Sequence, residues 1–329
     1  MAKTDQGRGL WHISPGISAL RPATKPAGTW LQVEALHSLI SLGTEGLVAA
    51  GQVPESLHEA MAVPYQEGSL ALPVKYGYSL VGKVAQAGHA LHGQTVHLLH
   101  PHQDRLWVAE SDCFVVPQAV PARRATLASN LETAVNALWD AGVAIGDRVV
   151  VVGFGLIGAL VADLLGRMPG VQVSIHEQRS DRVALAQAWG YQLWSDTGAA
   201  CDLAFHASAS AEGLQAAIHA VGQEGKVVDL SWYGERTITV ALGGSFHAQR
   251  KQIIASQVST IPPHQAPRWD YRRRKQLVFD LLHDPQFDRY LTHQVPFEQL
   301  PEFFHQLRQS PPAGLAWTVA FGEGVGIEV

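Results

Sequence analysis

Val149-Val150-Val151-Val152 runs straight into Gly153-Phe154-Gly155-Leu156-Ile157-Gly158, and an apolar stretch follows over residues 156–165. A continuous β-branched run is what a parallel strand covered on both faces requires. The stretch behind it suits a helix that returns over the strand. A G-x-G-x-x-G alone is a weak signal, but one that closes such a strand and opens such a helix has a physical meaning. The first glycine permits the tight turn, the second lets backbone N–H groups approach a pyrophosphate, and the third lets helix and strand pack closely. The helix N-terminus then faces the phosphates with unpaired donors and a favourable dipole. Gly153, Gly155, Leu156, Ile157 and Gly158 are therefore the candidate contacts to a dinucleotide.

A second strand is expected over residues 171–177, and it ends on Glu177, 24 residues after Gly153. A carboxylate at about this distance reads the adenosine ribose hydroxyls and repels a 2′-phosphate, which favours NAD. Arg179 and Arg182 lie just beyond and could pair with a phosphate instead, so NADP stays open. Further strands at 202–206 and 226–230 alternate with helical stretches that begin near Leu156, Ser180 and Ala211. That alternation predicts an α/β fold, a Rossmann-type doubly wound parallel sheet.

The rest of the chain reads differently. Residues 30–125 are short alternating runs between Gly and Pro clusters, an irregular β-rich domain. Residues 269–283 and 297–309 read as amphipathic helices around a short strand at 291–295, and a last strand follows at 315–321. The expected organisation is a β-rich domain over 1–128, the dinucleotide domain over 129–257, and a return to the first domain over 258–329. With 329 residues the chain has room for about two domains of ~150 residues.

Charge and cysteine content exclude several classes. The net charge of −5 offers no general attraction to nucleic acid or an anionic membrane. The one basic run, Arg272-Arg273-Arg274-Lys275, is expected to be a solvated helix face. Two distant cysteines, Cys113 and Cys201, make no disulfide framework and suit a reducing compartment. No apolar run is long enough for a membrane span and no signal core opens the chain, so a cytoplasmic protein is expected.

Taken together, Ser41-Leu42-Gly43-Thr44-Glu45, Tyr76-Gly77-Tyr78-Ser79-Leu80-Val81-Gly82, Glu132-Thr133-Ala134, the glycine motif and Leu291-Thr292-His293-Gln294-Val295-Pro296-Phe297 resemble the medium-chain dehydrogenase/reductase superfamily. The resemblance runs from about Trp30 to Phe321 and is nearest the bacteriochlorophyllide dehydrogenase-like branch. It implies a GroES-like catalytic domain around the Rossmann domain, a small-molecule substrate, and a homodimer. Residues 237–242, Thr-Ile-Thr-Val-Ala-Leu, offer an alternating edge strand for that pairing.

Zinc-dependent members place ligands where this chain has Leu42, Tyr78 and Ser129 or Asn130, and no zinc is expected. A site rebuilt from His100, His102 and Glu45 stays open. Without a metal, some hydrogen-bond donor must stabilise charge on a substrate oxygen. Tyr78 stands at a lost ligand position, and Thr44 matches the hydroxyl that relays a proton in zinc members. Glu45 could orient a donor, and His100 could exchange the proton with solvent near neutrality. His102, Asn130, Trp232 and Tyr233 are expected at the substrate pocket, each with core packing as the bland alternative, whereas His206 and His247 read as structural. The implied function is hydride transfer between a nicotinamide and an alcohol/carbonyl pair. A quinone or enone reductase and an inactive dinucleotide sensor remain as alternatives.

Overall fold

The computed structural model describes residues 6–196, 198–309 and 312–322. The chain divides into two compact units, residues 130–274 and residues 1–129 with 275–329. The return to the first unit thus comes inside the helix Tyr271–Leu281 rather than near residue 258. The intervening segment is tied to the helix Ala128–Ala141: Asn136 donates to the carbonyls of Gln257 and Thr260, and Trp139 packs against Trp269.

In the unit 130–274, a parallel sheet has the strand order Gln192–Leu193, Gln172–His176, Arg148–Val152, Cys201–His206, Val221–Asp229, Gln252–Ala255. Val149 to Val152 are at most 2% exposed, as a strand covered on both faces must be. Helices Leu156–Gly166, Ser180–Ala188 and Ala211–Ala220 begin where the sequence placed helical stretches. The order reverses beside Arg148–Val152, so a crevice opens at the carboxyl ends of the central strands.

Two expectations fail here. Residues 237–242 form no strand; Ile238 and Val240 instead pack onto the core of Val150, Val152, Leu214 and Ile218. Their alternation serves side-chain packing without a ladder, and the sheet edge is Gln252–Ala255. The basic run is not a solvated face either. Arg274 and Lys275 are 4% and 3% exposed, in phase with buried Val278, Phe279 and Leu282, while Arg272 and Arg273 face outward. Arg274 is held by Glu132 at 3.2 Å and by Asn136 at 2.7 Å.

The other unit holds two sheets. One joins Ile17–Thr24, Gln6–Ser14, Val74–Lys75 and Glu67–Gly68; the larger runs through His293–Pro296, Trp317–Ala320, Leu31–Ile40, Leu80–Val84, Thr95–Leu98 and Phe114–Val115, with Arg105–Val108 also on Leu31–Ile40. The strand Leu31–Ile40 alternates until its register slips between Ala35 and His37, after which Ser38, Leu39 and Ile40 are all buried. Such a bulge re-aims side chains, and Ser38 enters the interior. Among the described residues no helix is long and apolar enough to cross a membrane.

The helix Leu300–Leu307 places Leu300, Phe303 and Phe304 on one face, against Leu10, Ile40, Val295 and Val319. Phe304 is completely buried. Phe304→Ala is expected to cost about 3–5 kcal/mol of stability, measured as a lower urea midpoint. A midpoint within error of the parent would remove this contact from the core.

Candidate active site and dinucleotide cleft

The crevice in the unit 130–274 encloses about 250 Å³ and is lined by Val152, Gly153, Glu177, Arg182, Ser208 and Ser210 among others. Gly153 takes φ 96°, a left-handed turn that side chains disfavour. A Cβ on Gly158 would stand 1.9 Å from the Gly153 carbonyl oxygen, so only glycine lets the helix sit this close to the turn. These are the two roles assigned to those glycines in the motif.

Glu177 does more than end a strand. Its carboxylate accepts from the backbone N–H groups of Phe154 at 2.7 Å, Gln178 at 2.7 Å and Arg179 at 2.9 Å. It therefore ties the glycine turn to the neighbouring strand end while keeping lone pairs beside the crevice. Arg182 approaches the turn from the helix Ser180–Ala188, its Nη1 3.4 Å from where a Gly155 Cβ would be. Its Nε is buried with no partner, and burial, then Arg179, lower the guanidinium pKa. Arg179 is turned to Asp181, at 2.8 Å. A glycine cradle with backbone donors, an unpartnered guanidinium nitrogen and a carboxylate fit a dinucleotide.

The candidate catalytic residues cluster in the other unit. Thr44 and Glu45 lie on the helix Leu42–Ala49, and Ser41 caps it. The Glu45 carboxylate accepts from the Ser41 N–H at 2.8 Å and so ties the residue before the helix to its first turn. Its second oxygen is 2.7 Å from His102 Nε2, and both side chains are 1% exposed. His102 Nδ1 lies 2.7 Å from the Ser38 hydroxyl, which the bulge brought inward. Tyr78 is partly buried beside this group. Burial pushes its phenol up to about 12, hydrogen bonds with Ser41 and Thr44 pull it down, and the Glu45 charge adds to the rise.

His100 differs from the expectation. The ring is 2% exposed, stacks on Tyr65 with centroids 5.0 Å apart, and Nδ1 donates to the Pro101 carbonyl at 2.8 Å. Burial first, and then Lys75 and His102, lower its pKa to about 3. A ring held neutral and buried does not suit proton exchange with solvent near neutrality. His12, packed edge-on against Phe304, is likewise pushed to about 3 by burial, and His97 well below its ordinary value.

The positions to which the resemblance assigns zinc ligands hold Leu42, Tyr78 and Ser129 or Asn130. Ser129 donates to the Tyr78 carbonyl at 3.1 Å and lies 3.4 Å from His97 Nε2. Both ring nitrogens of His102 are engaged by Glu45 and Ser38. Among the described residues no three His, Cys, Asp or Glu side chains are grouped to hold a metal ion. These residues do not fit a zinc site.

Solved structures share this architecture. The 2R,3R-butanediol dehydrogenase of Bacillus subtilis superposes with a TM-score of 0.76 at 15% identity, over 96% of this chain and 100% of that one. A zinc-binding-type dehydrogenase of Sinorhizobium meliloti bound to NADP gives 0.74 at 16% identity, over 96% and 100%. The chain has the medium-chain dehydrogenase/reductase fold. In sequence it is 24% identical over 227 residues to D-guloside 3-dehydrogenase of Escherichia coli, a match that spans 63% of this chain and 64% of that protein. No family model matches the chain.

Of the remaining expected site residues, Asn130 is buried at 5% exposure near the start of its helix, and Trp232 is half-buried. The Tyr233 hydroxyl is turned to Asp229, at 3.0 Å. Sequence reasoning passed over Ser208 and Ser210, which line the crevice, and read His206, bonded to Ser208, as structural. Lys75 was also missed; it is 2% exposed and donates to Gln103 at 2.7 Å.

Because the Gly158 contact leaves no room for a methyl, Gly158→Ala must move the turn. It is expected to cost about 1–3 kcal/mol of stability and to weaken NADH binding at least tenfold in a fluorescence titration. Unchanged affinity would separate the turn from the cofactor.

Proposed function

We propose that this chain is an NAD(P)-dependent, zinc-independent oxidoreductase of alcohol/carbonyl pairs. The observation that carries the reading is the crevice at the sheet reversal, where the glycine turn, Glu177 and Arg182 converge. The cofactor, when bound, supplies or accepts the hydride. Everything else falls to the side chains.

In carbonyl reduction Tyr78 donates its phenolic hydrogen bond to the substrate oxygen as negative charge develops there. Its raised pKa keeps the phenol protonated across neutral pH. Ser41 and Thr44 stand near enough to lower the phenol's pKa and offer hydroxyls through which a proton is replaced. Glu45, fixed by Ser41 and His102, keeps the helix start rigid beneath them. In alcohol oxidation the same groups take the proton away. The D-guloside 3-dehydrogenase and the 2R,3R-butanediol dehydrogenase to which the chain is similar bear the names of hydroxylated substrates, which supports a secondary alcohol of a polyhydroxylated compound as the substrate. A cytoplasmic homodimer paired along the sheet edge Gln252–Ala255, where Ile253 is 36% exposed, completes the reading.

Tyr78→Phe is expected to lower turnover by about 10²–10³ with NADH affinity unchanged. Because burial moves the phenol upward, the parent enzyme should keep its activity at pH 10, where an ordinary tyrosine, with a pKa of about 10, would already be half ionised. Full turnover by Tyr78→Phe would remove the phenol from the mechanism. Purified protein should carry far less than one zinc per chain, stay active in chelator, and bind NADH more tightly than NADPH. Stoichiometric zinc lost together with activity, or tighter NADPH binding, would overturn the corresponding part.

A further inference from the structure

A chain of hydrogen bonds runs from the carboxyl ends of two adjacent parallel strands to the crevice. His206 and Asp229 are register partners on adjacent parallel strands, each at the last residue. The imidazole is completely buried; Nδ1 lies 2.9 Å from Asp229 Oδ1 and Nε2 lies 2.8 Å from the Ser208 hydroxyl. Ser208 is 3.0 Å from Ser210 Oγ, which accepts from the Gly213 N–H at 3.0 Å. The intervening Ala209 takes φ 51°, a left-handed conformation that is uncommon for alanine. It is held there by its N–H to Ser231 Oγ at 3.0 Å and its carbonyl to Arg236 at 3.1 Å. Strain of this kind persists only where the surroundings over-determine it.

The donors and acceptors in this chain have one consistent direction. Burial alone would raise the Asp229 carboxyl, but bonds from His206, the Ser231 N–H and Tyr233 together hold it below its usual value. The carboxylate is therefore an acceptor only, and Nδ1 must carry the imidazole proton. Ser231 Oγ and the Tyr233 hydroxyl stand farther from Nδ1, at 3.2 and 3.3 Å. The Tyr233 hydroxyl has its shorter bond to Asp229, at 3.0 Å. With a single ring proton, on Nδ1, Nε2 is a lone pair and the Ser208 hydroxyl donates to it. With that proton committed, Ser210 donates to Ser208, and one Ser208 lone pair is left toward the crevice it lines.

We propose that Ser208 is a hydroxyl-reading subsite of this cleft: it accepts a hydrogen bond from a ribose hydroxyl of the dinucleotide, with His206 and Asp229 as the positioning residues that set its direction. A phosphate oxygen at this point would meet a lone pair and is disfavoured, whereas Arg182, with its unpartnered Nε, is the donor available to phosphate. The cleft thus separates an acceptor face for sugar from a donor face for phosphate. This rests on the dinucleotide reading above.

Two measurements test it. Long-range ¹H–¹⁵N correlation on the free protein should show His206 protonated at Nδ1 alone. A ring protonated at Nε2 would reverse the wiring and overturn the proposal without any variant. In fluorescence titrations Ser208→Ala should bind NADH about tenfold more weakly, and Ser208→Thr, which keeps the hydroxyl, should recover most of the loss. Among NADH analogues lacking a single ribose hydroxyl, one should bind the parent about tenfold more weakly than NADH does, yet bind Ser208→Ala as NADH does. Equal NADH affinity in parent and Ser208→Ala, or the same loss for every analogue in both proteins, would overturn the subsite alone. Failure of the parent itself to bind NADH would overturn the cofactor reading.

Discussion

The carboxylate of Glu177 is the point on which the dinucleotide cleft depends. Three backbone N–H groups from two segments converge on it. One of those donors, Phe154, sits inside the glycine turn, between the two glycines that allow the turn to form. The position of the turn against the sheet is thus set by a side chain from the next strand. Removing the acid would leave partly buried N–H groups unpaired, at about 1–3 kcal/mol each. In the proposed reading, cofactor preference and local stability are therefore carried by the same atoms.

The β-rich unit solves a different problem. Its interior contains a pair, Glu45 and His102, that is almost fully withdrawn from water. A buried pair of this kind is costly unless its remaining valences are satisfied. The Ser41 N–H takes one carboxylate oxygen and the Ser38 hydroxyl meets the free ring nitrogen. Both partners are placed by backbone irregularities, a helix start and a strand bulge. A regular strand through residues 35–38 would turn Ser38 away and leave the imidazole half-bonded.

Much of the fold was legible because it is written in local patterns. The valine run, the glycine spacing and the helix starts at Leu156, Ser180 and Ala211 depend on neighbours within a few residues, and the structure has them where the periodicity does. The exceptions depend on what comes from far away in the chain. Arg274 reads as solvated until Glu132 and Asn136 arrive beside it, and residues 237–242 read as a strand until the core claims Ile238 and Val240. At the candidate site, Tyr78, Thr44 and Glu45 could be picked out by their motifs. The burial of His100 against Tyr65, by contrast, has no local signature. Nor does the pairing of His206 with Asp229, which is a matter of parallel register across 23 residues.

The buried histidines have a consequence for the proton balance of the whole fold. His12 and His100 are held near 3, and His97 well below its ordinary 6.5, because desolvation disfavours their charged forms. An unfolded chain exposes these rings, and below pH 6.5 it binds protons that the folded chain refuses. Unfolding therefore takes up protons in this range, and stability must fall as the pH drops from about 6.5 toward 3, by on the order of 1.4 kcal/mol per pH unit for each fully affected ring. Above pH 6.5 the same rings are neutral in both states and contribute no slope. Packing imidazoles as though they were hydrocarbon rings makes the fold less stable in acid than in neutral and alkaline solution.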